Sequence, residues 1–168
     1  MTVQRLDASR FGFDSRCFVC DDSNPRGLQV PFFEDTDAGL VFADFELAAE
    51  FSGAPTLVHG GVTLALIDEA MSWATIALAS TFAYTGETTT RFEWPVRVGR
   101  AYRVEARVVD RGERRITTEA AVLDAKQRAC VRATAAMVVL DPEQGAQAIG
   151  QPVTGEDASY LRERRRPG

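Results

Sequence analysis

Two adjacent carboxylates, Asp68 and Glu69, stand in the middle of an apolar run from Gly60 to Phe82. Taking a carboxylate out of water is costly unless it is hydrogen-bonded or opens onto a cleft. In a cleft it can serve as a general base toward water, or attack a carbonyl directly. Eight positions before Asp68 comes Gly60, within His59-Gly60-Gly61. The first turn of a helix presents unpaired backbone N–H groups and the positive end of the helix dipole, and glycine lets a carbonyl oxygen approach them. Gly60 and Gly61 therefore offer an oxyanion hole, or else only the tight turn that leads into a helix.

Successive helical residues point about 100° apart, so the two acids cannot serve one site. Asp68 shares its face with Leu64, Ala65, Met71, Ser72 and Thr75, whereas Glu69 turns toward Ala65, Leu66 and Trp73. Asp68 is favoured as the catalytic acid because Ser72 follows one turn later and can help orient a water. Glu69 is the second candidate. The bland alternatives are acids bonded to arginine or backbone, and a serine bonded to the carbonyl four residues earlier. His59, the only histidine, is read as stabilising the turn by a backbone hydrogen bond ahead of any proton transfer. Cys17 and Cys20 form a CxxC pair, and with Cys130 and His59 they complete a zinc ligand count on paper. Cys130 falls in a strand pattern and His59 in the candidate site, so no metal is expected.

Eight helical positions span about 12 Å along the axis, so Gly60 and Asp68 of one chain cannot touch the same carbonyl carbon. Both can act together only if each comes from a different subunit, with the helices passing at a twofold interface. The chemistry therefore predicts a homodimer, alone or within a dimer of dimers.

The elements that must position these groups are readable from periodicity. Val62 to about Ala79 carries Ala, Leu, Ile, Met and Trp without Gly or Pro, too long for a strand, and predicts a helix. It is apolar on nearly every side and must be surrounded by protein. Leu28–Phe33 and Gly39–Leu47 read as strands before it. Thr88–Val98, Tyr102–Asp110, Arg115–Asp124 and Arg128–Leu140 read as strands after it, joined by hairpin-length turns into an antiparallel meander. Residues 1–26 read as irregular, 27–140 as the folded domain and 141–168 as a flexible extension. One helix this apolar needs a sheet that wraps it, or a sheet plus a second subunit, which is an α+β arrangement with the geometry of a hotdog fold: an antiparallel sheet around one long central helix.

The segment Leu57-Val58-His59-Gly60-Gly61-Val62-Thr63-Leu64-Ala65-Leu66-Ile67-Asp68-Glu69-Ala70-Met71 resembles the central helix of hotdog-fold acyl-CoA thioesterases, most closely the branch with phenylacetyl-CoA thioesterases. Phe92-Glu93-Trp94-Pro95-Val96-Arg97-Val98-Gly99 is similar to the following strand, and Cys17-Phe18-Val19-Cys20 with Asn24-Pro25-Arg26-Gly27-Leu28 to the opening of many members. The resemblance, over roughly residues 17–140, implies hydrolysis of an acyl-CoA thioester. Asp68 would be base or nucleophile and the Gly60 N–H of the partner subunit would polarise the carbonyl. CoA enters only as part of the substrate, with no other cofactor. Substrate contacts would involve Gly61, Gly53 and Thr85, with Arg97 and Arg114 (alongside Arg100 and Arg115) placed near strand ends to meet CoA phosphates. The chain departs from the family pattern at three places. Gly53 replaces an Asn or Gln that holds water, Gly86 replaces a Ser or Thr next to Thr85, and Trp94 replaces a basic residue before the proline. A non-catalytic protein that binds acyl-CoA or a lipid-like ligand is the alternative.

Composition narrows the remaining classes. The chain has 168 residues, enough for one domain with its own core, and a formal net charge of −5, which offers no general basic field for nucleic acid. Positive charge gathers in Arg162, Arg164, Arg165 and Arg166 against Glu163, a pattern expected of a solvated tail. No apolar leader is readable in residues 1–10, and three cysteines cannot pair evenly, which suits a reducing cytoplasm. Asp68 and Glu69 would each cost several kcal/mol in a bilayer, so the apolar run is read as a core helix rather than a membrane span.

Overall fold

In the computed structural model, residues 2–154 and 158–161 are described. The chain opens with strand β1 (Val3–Leu6), antiparallel to β2 (Phe32–Asp35), which pairs in turn with β3 (Leu40–Glu46). The predicted irregularity of residues 1–26 thus fails at β1, a strand too short to show an alternating pattern. Between β1 and β2 the chain runs through turns, and it is held because Phe11, Val19, Leu28 and Val30 are buried in the core. A hairpin of β4 (Ser52–Ala54) and β5 (Leu57–Val58) then delivers helix α1 (Gly60–Ala77). α1 starts two residues before Val62 because His59 caps it.

Strands β6 (Ala83–Phe92), β7 (Ala101–Arg111), β8 (Arg115–Asp124) and β9 (Ala129–Val139) complete a seven-stranded antiparallel sheet of order β1-β2-β3-β7-β8-β9-β6. This corrects the simple meander, since β6 pairs with β9 at the sheet edge and not with β7. The predicted strand Thr88–Val98 is really two pieces. At its end the N–H groups of Glu93 and Trp94 both donate to the Cys130 carbonyl, each at 2.9 Å. Pro95 follows, which has no N–H to donate to a ladder. Beyond it Val58 N–H donates to Val96 O at 2.9 Å, and Leu57 bridges Arg97, so this segment lies against β5.

α1 packs across the concave face of the sheet, chiefly on β7, β8 and β3. Leu66, Ile67, Ala70, Met71 and Ala74 meet Val104, Ile116, Val122, Val131 and Met137 in one buried core. Each such side chain contributes roughly 1.5–3 kcal/mol on burial. Within one chain the helix is not enclosed on every side, so of the two expected arrangements the sheet alone does not surround it. Gly61 and Asp68 are exposed, and Leu64, Ala65 and Ser72 half-buried, along a stripe that the chain itself leaves open.

The C-terminal extension is also more ordered than expected. Helix α2 (Pro142–Ile149) starts with a capping box between Asp141 and Gln144 and ends at Gly150 in the left-handed conformation. Tyr160 is buried, and its hydroxyl donates to Phe11 O at 2.6 Å. The Arg162–Arg166 cluster lies outside the described residues.

Candidate active site

The β4–β5 hairpin exists to place His59. Its N–H donates to Phe51 O at 2.8 Å, and Gly53 lies so close that a Cβ there would sit 3.3 Å from the His59 Cα and ring. His59 Nδ1 accepts the Gly61 N–H at 2.9 Å, while its carbonyl accepts from Val62 at 3.0 Å and Thr63 at 3.1 Å. His59 is therefore a helix cap. Among the described residues no acceptor meets the Gly60 N–H, so of the two glycine amides it is the one left for a carbonyl oxygen. Gly60 is exposed, and the Phe92 ring borders it.

Two turns further along the open stripe stands Asp68. Its Oδ1 accepts a 2.5 Å hydrogen bond from the Thr85 hydroxyl on β6. At this point β6 carries a bulge: Thr85 faces Met137, but Glu87 rather than Gly86 faces Ala136. Gly86 is the extra residue, and a Cβ there would fall 2.6 Å from Val138 Cγ2 and 3.2 Å from Ala136 O, so any larger residue would have to displace Val138. The bulge lets the residue before Gly86 supply the hydroxyl. Ser72, half-buried one turn after Asp68, completes the polar part of the stripe.

Glu69 points the other way, into the N-terminal segment. Cys17 Sγ donates to Glu69 Oε1 at 3.3 Å, and the two cysteines and Glu69 form a group whose ligating atoms all lie within 4.8 Å. Burial pushes the Glu69 carboxyl up to about 8, and the charge of Cys17 adds to this. The hydrogen bond with Cys20 holds the Cys17 thiol well below the usual range and pushes the Cys20 thiol up. The buried Trp73 indole N–H meets no acceptor at hydrogen-bond distance, although it lies near enough to Glu69 to favour its charged form. Cys130 is buried in β9, and its Sγ faces Arg128 O at 3.8 Å. The paper set of three cysteines and His59 is thus not brought together.

The two arginines are far apart in the chain's architecture. Arg97 adjoins Leu57 near the start of α1, whereas Arg114 accepts from Val139 N–H at the other end of the sheet. Where relatives were expected to carry a basic residue, Trp94 is stacked by the Arg128 guanidinium, 4.4 Å from its ring centre. Asp68 lines neither the cavity of about 320 Å³ beside Cys20 nor that of about 580 Å³ over β3 and β7. The pairings Thr85–Asp68 and Cys17–Glu69 escaped sequence reasoning. The first had a signal, a glycine beside a hydroxyl in a strand; the second, 52 positions apart, had none.

Residues 56–131 match the family model of the thioesterase superfamily. This stretch, from the end of the β4–β5 hairpin to β9, is the part of the chain that is similar to that superfamily. Solved structures agree on the fold. A thioesterase-superfamily protein superposes with a TM-score of 0.64 at 25% identity over 68% of this chain, which spans only 56% of that protein's length. A Streptococcus mutans protein bound to acetyl-CoA gives 0.58 at 20% identity, covering 61% of this chain and 82% of its own. The Escherichia coli PaaI protein from the phenylacetic acid degradation operon gives 0.55 at 19%, covering 60% and 76%. No curated protein matches the chain in sequence. Among the described residues, no helix is long and apolar enough to cross a membrane.

Proposed function

We propose that the domain hydrolyses an acyl-CoA thioester, working as a homodimer. The observation that carries this reading is an exposed aspartate on the open stripe of α1, its carboxylate held by the Thr85 hydroxyl. That bond occupies one carboxylate oxygen and leaves the other to meet water or substrate. The match of residues 56–131 to the thioesterase-superfamily model and a structurally similar protein solved with acetyl-CoA support the substrate class.

In the proposed reaction the thioester carbonyl rests on the Gly60 N–H of one subunit and faces Asp68 of the other. Asp68 takes a proton from water as the water oxygen adds to the carbonyl carbon. The tetrahedral oxyanion is stabilised by the Gly60 amide and the helix dipole. Collapse breaks the carbon–sulfur bond, and the departing CoA thiolate takes the proton from Asp68. In the alternative, Asp68 attacks the carbonyl directly and expels the CoA thiolate to give a mixed anhydride. Water then cleaves the anhydride to the free acid and Asp68, its proton going to the thiolate, with the same groups. The second subunit covers the stripe that this chain leaves open. Arg97 and Arg114 are the proposed phosphate contacts, from opposite ends of the sheet.

The test is release of free CoA, read with a thiol reagent, from a panel running from acetyl-CoA to phenylacetyl-CoA. Turnover that falls by about 10²–10⁴ in Asp68→Asn is expected. Binding without release would make the protein an acyl-CoA binder. Activity that survives Asp68→Asn but is lost in Glu69→Gln would move the chemistry from Asp68 to Glu69.

A further inference from the structure

We infer that Cys17, Cys20 and Glu69 form a binding site for a thiophilic divalent cation, zinc in the first instance, which fastens the N-terminal segment to α1. This site lies on the side of α1 away from Asp68 and is independent of the hydrolysis proposed above.

Geometry supports it from three directions. The ligating atoms already lie within 4.8 Å of one another. Tetrahedral zinc, with bonds of about 2.3 Å to sulfur and about 2.1 Å to oxygen, needs sulfur–sulfur and sulfur–oxygen separations of about 3.8 and 3.6 Å. The observed Cys17 Sγ to Glu69 Oε1 distance is 3.3 Å, so closure asks for shifts well under 2 Å. The loop itself is arranged for a thiolate: Val19 and Cys20 both donate their backbone N–H to Cys17 Sγ, at 3.3 and 3.4 Å. Finally, Trp73 is only 5% exposed and its indole N–H has no acceptor. A Glu69 that gives one oxygen to a metal offers the other, fully ionised, to that N–H.

Three protein ligands leave one coordination position. Cys20 borders the cavity of about 320 Å³ that it shares with Asp14, Ser15 and Asp21, and a water from there completes the tetrahedron. On binding, the thiol and carboxyl protons pass to solvent and the ligands bind as anions. The four-ligand set weighed from sequence used Cys130 and His59. Glu69 replaces them because the loop after β1 folds back over the middle of α1.

Cobalt(II) reports directly on sulfur ligation. The full chain, stripped with a chelator and kept under a phosphine reductant, is titrated with Co²⁺ and then Zn²⁺. One equivalent of Co²⁺ giving an intense thiolate-to-cobalt charge-transfer band, abolished by Zn²⁺, is expected. The band is lost in Cys20→Ser, and Glu69→Gln binds at least about tenfold more weakly, the usual range for a weakened metal shell. Zinc also raises the wild-type melting temperature. No saturable binding by the reduced wild-type chain, or a band that persists in Cys20→Ser, overturns the inference whatever the outcome of the CoA-release assay.

Discussion

A hydroxyl that donates to one carboxylate oxygen fixes which way the other oxygen faces, and Thr85 does this for Asp68. A hydrogen bond to a charged group contributes about 1.5–3 kcal/mol. Thr85→Val is therefore expected to lower kcat by about 10–100-fold with the fold intact, whereas Thr85→Ser keeps the hydroxyl and most of the rate; steady-state CoA release on both variants checks it. The separate faces of Asp68 and Glu69 were legible in the sequence because helical periodicity sets them apart. The partner of Asp68 was less so. Spacing alone puts Gly86 where the hydroxyl is wanted, and only the bulge in β6 shows that Thr85 supplies it. His59 is legible as the turn stabiliser, since its Nδ1 takes the Gly61 N–H. The surroundings of Asp68 were not: its stripe is open to solvent in one chain, although its neighbours in sequence are apolar.

At the scale of elements, long-range pairing is what the sequence hides. α1, β7, β8 and β9 fall within a few residues of their predicted bounds because each carries its own period. The pairing of β6 with β9 ends where the Glu93 and Trp94 N–H groups share the Cys130 carbonyl, just before Pro95, and neither signal is periodic. α2 is too short for a hydrophobic pattern, yet Asp141-Pro142, Gln144 and Gly150 are its start and stop signals. Its docking is completed by Tyr160, whose hydroxyl burial pushes up to about 12. A group raised in the folded state stabilises fully below its unfolded value, near 10, and loses that contribution as pH rises toward 12. Tyr160→Phe should cost about 1 kcal/mol near pH 8. That cost should shrink above pH 10, as urea unfolding of both proteins at several pH values would show.

For the molecule as a whole, the open stripe and the exposed rings of Tyr84, Phe92 and Trp94 on and just beyond β6 leave apolar surface in water. Phe92 borders the free Gly60 N–H, so a second copy that covers this region would also complete the proposed oxyanion site. Phe92→Glu is expected to shift the chain toward monomer in sedimentation and to lower CoA release in parallel. Dilution of the wild type should reproduce the loss. A monomer with undiminished turnover would remove the need for a partner.

The bulge at Gly86 behaves as a frameshift absorbed by the backbone. Column-by-column comparison of related chains would set this glycine against a hydroxyl and score the group as missing, when it has moved up by one. Without Gly86, Thr85 would still face Met137 and Glu87 would still face Ala136, so every later side chain of β6, the Phe92 ring included, would keep its face and only the local bend of the strand would go.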